Sequence, residues 1–314
     1  MSQPHPFLLE TETHPGVAYV ERLFGTEATR DASSGLLVEV PHGADERAHF
    51  DALRERLVGD LPDDLDEFFH ANTDIGAYQY GRRVVERLLA ERPKLSAIVI
   101  RSLIPRTFID CNRLEDAAAS GGVTAGVAPY VDHPADHALL VSLHRAYVQL
   151  ADAAYSDVCD GGGFALTPHT YGPYELPIAS IDRDIVARLR ECHRPDVIPT
   201  LPVRPEVDLL TRTRDGVRLA PEGMVEDLIA GFAAEGLTAT EGRAYQLAPS
   251  TQTWRFATRH PGRVLCLEVR RDLLVERYTA LTAMEVRPES LERIAAPLAG
   301  AISRWMDRRD AQAG

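Results

Sequence analysis

Ser96-Ala97-Ile98-Val99-Ile100 followed closely by Ile104-Pro105-Arg106-Thr107-Phe108-Ile109-Asp110-Cys111-Asn112-Arg113 is the stretch on which the reading of this chain turns. The first part is an apolar, β-branched run of strand length, and the second closes it with a cluster of polar groups. An Arg fork beside an Asn amide offers planar, charge-assisted donors that match a carboxylate better than a Lys would. A strand-end Asp beside an Arg also serves as a plain structural ion pair. The pattern therefore gains meaning only from its company.

That company recurs along the chain. Val38-Glu39-Val40-Pro41-His42-Gly43 ends a short apolar run in a His, and Phe164-Ala165-Leu166-Thr167-Pro168-His169-Thr170 does the same. In α/β sheets, strand ends of this kind are where ligands are met. Asn72-Thr73-Asp74-Ile75-Gly76-Ala77 opens a helical pattern with an acid in its first turn, and Val264-Leu265-Cys266-Leu267-Glu268-Val269-Arg270 sets a Glu inside a strand pattern. Two His and one carboxylate are the protein ligands of a catalytic zinc site that keeps one position open for water. Glu268 is then the spare carboxylate such chemistry needs.

In this order the motifs resemble the N-formylglutamate amidohydrolase family, over roughly Leu36 to Leu274, and more distantly the zinc carboxypeptidases. The shared features are a Pro-His motif, an acid opening a helix, an Ile-Asp-x-Asn-Arg motif, a second strand-end His and a late Leu-Glu motif. The resemblance implies Zn2+, or another divalent ion, on His42, Asp74 and His169, with Glu268 as general base and acid. It implies a substrate carboxylate on Asn112 and Arg113 of the Asp110 motif, with Arg106 binding a second carboxylate or polarising the scissile carbonyl. Arg270 follows Glu268 as an Arg does in the carboxypeptidases, and His144 matches a helical His of the family, so both join the substrate-side set. The fold implied is α/β, a mixed, mainly parallel sheet flanked by helices, phosphorylase/hydrolase-like and more narrowly zinc carboxypeptidase-like. This chain departs in Gly43-Ala44 after the first His and in Pro-His-Thr-Tyr-Gly-Pro around the second. His42-Gly43-Ala44-Asp45 also leaves Asp45 as an alternative third ligand to Asp74.

Composition bounds the rest. The 314 residues are 45% hydrophobic and 26% charged, with a formal net charge of -13, which fits a soluble α/β chain and argues against nucleic-acid or anionic-membrane partners. An anionic substrate then needs a local positive site, which Arg106, Arg113 and Arg270 offer beside a metal. Cys111, Cys159, Cys192 and Cys266 form no Cys-x-x-Cys pair, so neither a zinc knuckle nor a disulfide framework is indicated. With no basic-then-apolar leader in Met1 to Phe7 and no run of membrane-spanning length, the expected compartment is the cytoplasm.

Apolar runs alternating with helical patterns predict a mainly parallel sheet with crossover helices, and with the resemblance this implies a single α/β metallohydrolase domain over 1–314 with loop insertions at about 114–135 and 171–220. Strands are expected at Gly16 to Val20 and Leu36 to Val40, and helices at Asp74 to Glu91, Asp136 to Ala153, Met224 to Ala234 and Pro288 to Met306. No Gly-x-Ser-x-Gly elbow or nucleotide phosphate loop is present. The function expected is zinc-dependent hydrolysis of a small N-acyl, formyl-like amino acid with a free carboxylate. A carboxypeptidase or dipeptidase acting on a short peptide is the alternative, and a non-catalytic binding protein for acyl-amino acids is a third.

Overall fold

The structure, a computed structural model, describes residues 7–30, 34–115 and 125–313. The expected segment Met1 to Pro6 and the middle of the 114–135 insertion lie outside the described residues. In chain order the elements are β1 (Phe7–His14), β2 (Ala18–Gly25), β3 (Leu36–Val40), α1 (Arg47–Arg54), α2 (Leu65–Asn72), α3 (Ala77–Glu91), β4 (Ser96–Ser102) and α4 (Pro134–Tyr155). They continue with β5 (Phe164–Tyr171), α5 (Ile185–Cys192), β6 (Val207–Leu210), α6 (Met224–Ala234), β7 (Ala239–Glu241), α7 (Gln252–Arg259), β8 (Val264–Arg270) and α8 (Pro288–Ala313).

The strands form one sheet in the order β1-β2-β4-β3-β5-β8-β6-β7. Its centre, β4-β3-β5-β8, is parallel, while β2 joins β4 and β6 joins β8 antiparallel. This is the mixed, mainly parallel α/β sheet that the alternation of elements predicts. The parallel strands are apolar on both faces, as they must be when helices cover both. Leu36, Val38, Val40, Leu265 and Leu267 share one core with Val84 and Leu88 of α3 and Leu298 and Ile302 of α8. Leu37, Ile98, Ile100 and Ala165 share the other with Leu140, Tyr147 and Tyr155 of α4 and Phe256 of α7.

From β3 the chain goes first to β4 on one side and then to β5 on the other. The carboxyl ends of β3 and β5 therefore bound the crevice where strand order switches, the usual ligand position in open α/β sheets. Helix α3 lies tightly on this part of the sheet because Gly81 lacks a side chain: a Cβ there would meet Val38 Cγ1 at 2.8 Å and Pro168 Cγ at 3.2 Å.

Several boundaries differ from expectation. β2 starts at Ala18 because a turn at Gly16, φ +67°, links it to β1. α3 starts at Ala77 and not at Asp74, because its cap Gly76 has φ 87°, which leaves Asp74 in the connection ahead of the helix. The stretch 171–220 holds α5 and the sheet strand β6 as well as loop.

Candidate metal centre and substrate pocket

Alternation along β5 and β8 puts His169 and Glu268 on the α4 face of the sheet, directly opposite each other in the parallel register. His42 stands two residues beyond β3, and Asp74 enters from the connection between α2 and α3. Nδ1 of His42 and Nδ1 of His169 lie 3.1 and 2.9 Å from the same oxygen, Asp74 Oδ2. All three residues are buried, and their ligand atoms lie within 4.8 Å of one another. Two imidazole nitrogens and a carboxylate oxygen aimed at one point are the donor set that zinc takes. These residues fit such an ion.

The second ring nitrogen of His42 is 2.7 Å from Asp110 Oδ1. A ring proton there leaves the Nδ1 lone pair for a metal, the usual way in which a carboxylate orients a ligating His. Asp110 is fully engaged: Oδ1 also accepts from its own Asn112 amide at 2.9 Å, and Oδ2 meets Arg106 Nε at 3.0 Å and Arg113 Nη2 at 3.5 Å. Its carboxylate is spent on protein groups and stands behind His42. Asp45 is separate from this cluster, held by Arg101 and by Gln79 Nε2 at 3.3 Å.

Charge follows from these contacts. Burial alone would raise the Asp74 carboxyl, but the imidazoles of His42 and His169 outweigh it and hold it below the usual carboxylate range. Asp110 behaves alike, with Arg106, Arg113 and His42 overcoming burial. Glu268 goes the other way. Burial pushes its carboxyl up to about 7; His169, Arg106 and Arg204 oppose the rise and Asp74 adds to it. Its Oε2 has no hydrogen-bond partner among the described residues.

His42, His169, Asp110 and Glu268 line a cavity of about 300 Å³ together with Asn112, Arg106, Arg113, Arg204, Tyr245 and Arg271, and Asp74 stands behind the two His residues. The orientation of Asn112 is fixed by the start of α7: its Oδ1 accepts from Thr253 N at 2.9 Å and Thr253 Oγ1 at 2.8 Å. The amide Nδ2 is thereby turned towards His169 Nε2, 3.4 Å away. Besides Asp74, two expected residues fall outside the lining. Arg270 is turned to Asp272 Oδ1 at 2.8 Å and to the Arg204 carbonyl at 3.2 Å. His144 donates from Nε2 to the Arg113 carbonyl at 2.9 Å, supporting the backbone behind the pocket.

No family model matches the sequence, and no curated protein matches it. Solved structures that match in three dimensions include a gene product of Agrobacterium tumefaciens, at 16% identity and TM-score 0.53, over 94% of this chain and 96% of the other. They also include N-formylglutamate amidohydrolase from Ralstonia eutropha, at 15% identity and TM-score 0.53, over 94% and 99%. The chain has the fold of an N-formylglutamate amidohydrolase. A metallo-carboxypeptidase from Burkholderia cenocepacia aligns more loosely, at 12% identity and TM-score 0.41, over 92% of this chain and 61% of the other.

On this amidohydrolase fold the pocket carries residues that the motifs do not point to. Arg204 lies against the rings of Tyr171 and Tyr245, 5.2 and 5.5 Å from their centroids, and donates to the Tyr245 hydroxyl at 2.9 Å. Tyr245 is itself placed by Asp208 of β6, whose carboxylate accepts the backbone N–H groups of Arg243, Ala244 and Tyr245. The only sequence signal for Asp208 is an acid in the short apolar run Val207–Leu210. Among the described residues no helix is long and apolar enough to cross a membrane.

Proposed function

We propose that the protein is a divalent-metal amide hydrolase, with zinc as the natural ion, acting on a small N-acyl amino acid that has a free carboxylate. The observation that carries the reading is that the His42, Asp74 and His169 donors converge at the wall of a small cavity, which His42 and His169 line together with Glu268, whose Oε2 has no hydrogen-bond partner among the described residues. A bound ion supplies Lewis acidity, polarising an amide carbonyl and making water acidic enough to be deprotonated near neutral pH.

The chain's own groups do the rest. Glu268 takes the proton of the attacking water and returns it to the leaving nitrogen, which must be protonated before it departs. A carboxyl raised to about 7 is suited to both halves of that exchange. Asn112 Nδ2 and Arg113 hold the carboxylate of the amine-side product. Arg106, partly exposed and braced by Asp110, offers its remaining donors to the scissile carbonyl.

Arg204 supports a second anionic group on the substrate. Arg106, Arg113 and Arg271 each stand within 4.0 Å of Asp74 or Asp110, whereas among the described residues the hydrogen bonds of Arg204 go to neutral oxygens, of Tyr245 and Gly172. A half-buried guanidinium at the pocket wall whose hydrogen bonds go to neutral oxygens has donors and charge to offer a carboxylate. The cavity is at the small end of ligand pockets, which favours an acyl-amino acid over a longer peptide. The four cysteines are buried and unpaired, which fits a reducing cytoplasm.

The test is turnover of zinc-loaded protein on N-formyl and N-acetyl derivatives of acidic and neutral amino acids beside a panel of dipeptides. Hydrolysis of small acyl derivatives of acidic amino acids in preference to dipeptides is the expected result. Dipeptide cleavage alone would move the protein to the peptidases, and tight binding without turnover would make it a binding protein.

A further inference from the structure

Arg271 directly follows β8, and its side chain is turned inward, 3% exposed. Its donors diverge onto two segments that bear metal-ligand candidates. Nη1 donates to the carbonyl of Ala71 at 2.6 Å, near the end of α2 and shortly before Asp74. Nη2 donates to the carbonyl of Thr170 at 3.1 Å and Nε to its hydroxyl at 3.3 Å, at the residue after His169. Nη2 also lies 3.5 Å from Asp74 Oδ1, an oxygen with no hydrogen bond among the described residues. The next cation, Arg106, is 3.9 Å from that oxygen. The other oxygen, Oδ2, is the one facing His42 and His169.

Neighbouring bonds extend the frame. Thr170 Oγ1 donates to the Ile75 carbonyl at 3.1 Å, and Thr73 Oγ1 donates to the Ala44 carbonyl at 3.1 Å. The segments carrying His42, Asp74 and His169 are thereby linked to one another, with Arg271 contacting two of them.

We propose that Arg271 is a positioning residue for the metal centre. By its charge it holds the far oxygen of Asp74, so that the carboxylate presents Oδ2 alone to an ion. By its fork it fixes the spacing between Asp74 and His169 before any ion arrives. Only a guanidinium serves both ends, because its rigid, divergent donors reach three backbone and side-chain oxygens while the charge remains on Asp74. The inference rests on the metal-centre reading above.

The test uses the full chain, stripped of metal, as wild type, Arg271→Lys and Arg271→Ala. Zinc affinity is measured by competition with a chromogenic chelator, cobalt(II) is added to record the visible ligand-field spectrum, and melting of the metal-free proteins is followed in parallel. Zinc binding about 10- to 100-fold weaker in Arg271→Ala is the expected result, in line with loss of an outer partner of a ligand. The cobalt band should change as the released carboxylate alters the coordination. Arg271→Lys, which keeps the charge, should recover part of the affinity, and it carries the test if the Ala variant does not fold. Unchanged zinc affinity and cobalt spectrum in variants whose melting temperature has fallen would overturn the proposal, leaving Arg271 a stabiliser of the fold. A wild type that takes up neither ion would overturn the metal centre itself, a distinct outcome.

Discussion

Replacing Glu268 by Gln removes the proton acceptor while leaving shape and hydrogen bonding almost untouched, since among the described residues Oε2 has no partner to lose. Loss of a positioned general base costs on the order of 10²- to 10⁴-fold in kcat, or about 3–5 kcal/mol of barrier, with KM and zinc content little changed. A second effect has the opposite sign. Raising the carboxyl from 4.5 to about 7 makes its ionised form cost roughly 3 kcal/mol in the folded, metal-free chain. Below about pH 4.5 the group is neutral folded or unfolded, and the cost is absent. Between 4.5 and 7 the unfolded chain releases the proton that the folded chain keeps, so the cost grows with pH and is complete above about 7. The Gln variant never ionises. Metal-free Glu268→Gln should therefore unfold at higher urea concentration than wild type at pH 8, with most of the gap closed at pH 5. Steady-state kinetics and urea titrations at the two pH values provide the assay. Activity within tenfold of wild type would refute the base assignment, and equal stability at pH 8 would refute the desolvated carboxylate.

Other consequences follow from single contacts. Asp110→Asn should weaken zinc binding about 10- to 100-fold by releasing His42 Nε2, measured by chelator competition. Arg204→Gln should lower kcat/KM for an acidic acyl-amino acid by roughly 10- to 100-fold, as expected for one charged hydrogen bond, while sparing the neutral isostere; equal losses on both would remove the second anionic subsite. Gly81→Ala should cost about 1–3 kcal/mol in denaturant unfolding, because α3 must lift from Val38 and Pro168. The zinc-loaded enzyme should gain kcat/KM with rising pH along a limb at or below about 7, since a nearby divalent charge favours ionised Glu268; a rate that falls from pH 5 to 7 would exclude the carboxylate as base.

The residues on the central parallel strands were legible because both physical signals coincide there. Leu36–Val40, Phe164–Tyr171 and Val264–Arg270 are apolar runs of strand length, each with its polar group near the carboxyl end. Helices with long apolar stripes, such as Met224–Ala234, were legible for the same reason. The sheet edges were not. β1 reads Phe-Leu-Leu-Glu-Thr-Glu-Thr-His, mostly polar because an edge strand meets water, and the three residues of β7 are too few to carry a period. α1 and α2, of eight residues each, are similarly short for a periodic signal. Within the site, Arg271 carries no motif signal, because alternation ends with β8. The single 3-10 turn Arg271–Leu273 redirects the chain, so Arg270, which fits the motif, turns to Asp272, while its neighbour turns to Asp74. Arg204 and Tyr245 are not legible in the sequence, because they reach the pocket from loops whose placement depends on tertiary contacts, notably those of Asp208.

His42, Asp74 and His169 are expected to hold an ion that this pocket uses. Metal content by mass spectrometry, on purified wild type and on His169→Ala, each assayed for amine release from N-formylglutamate, tests it most directly. Near-stoichiometric divalent metal and turnover are expected in the wild type, with both lost in the variant. A folded, metal-free wild type that added zinc does not activate would contradict it.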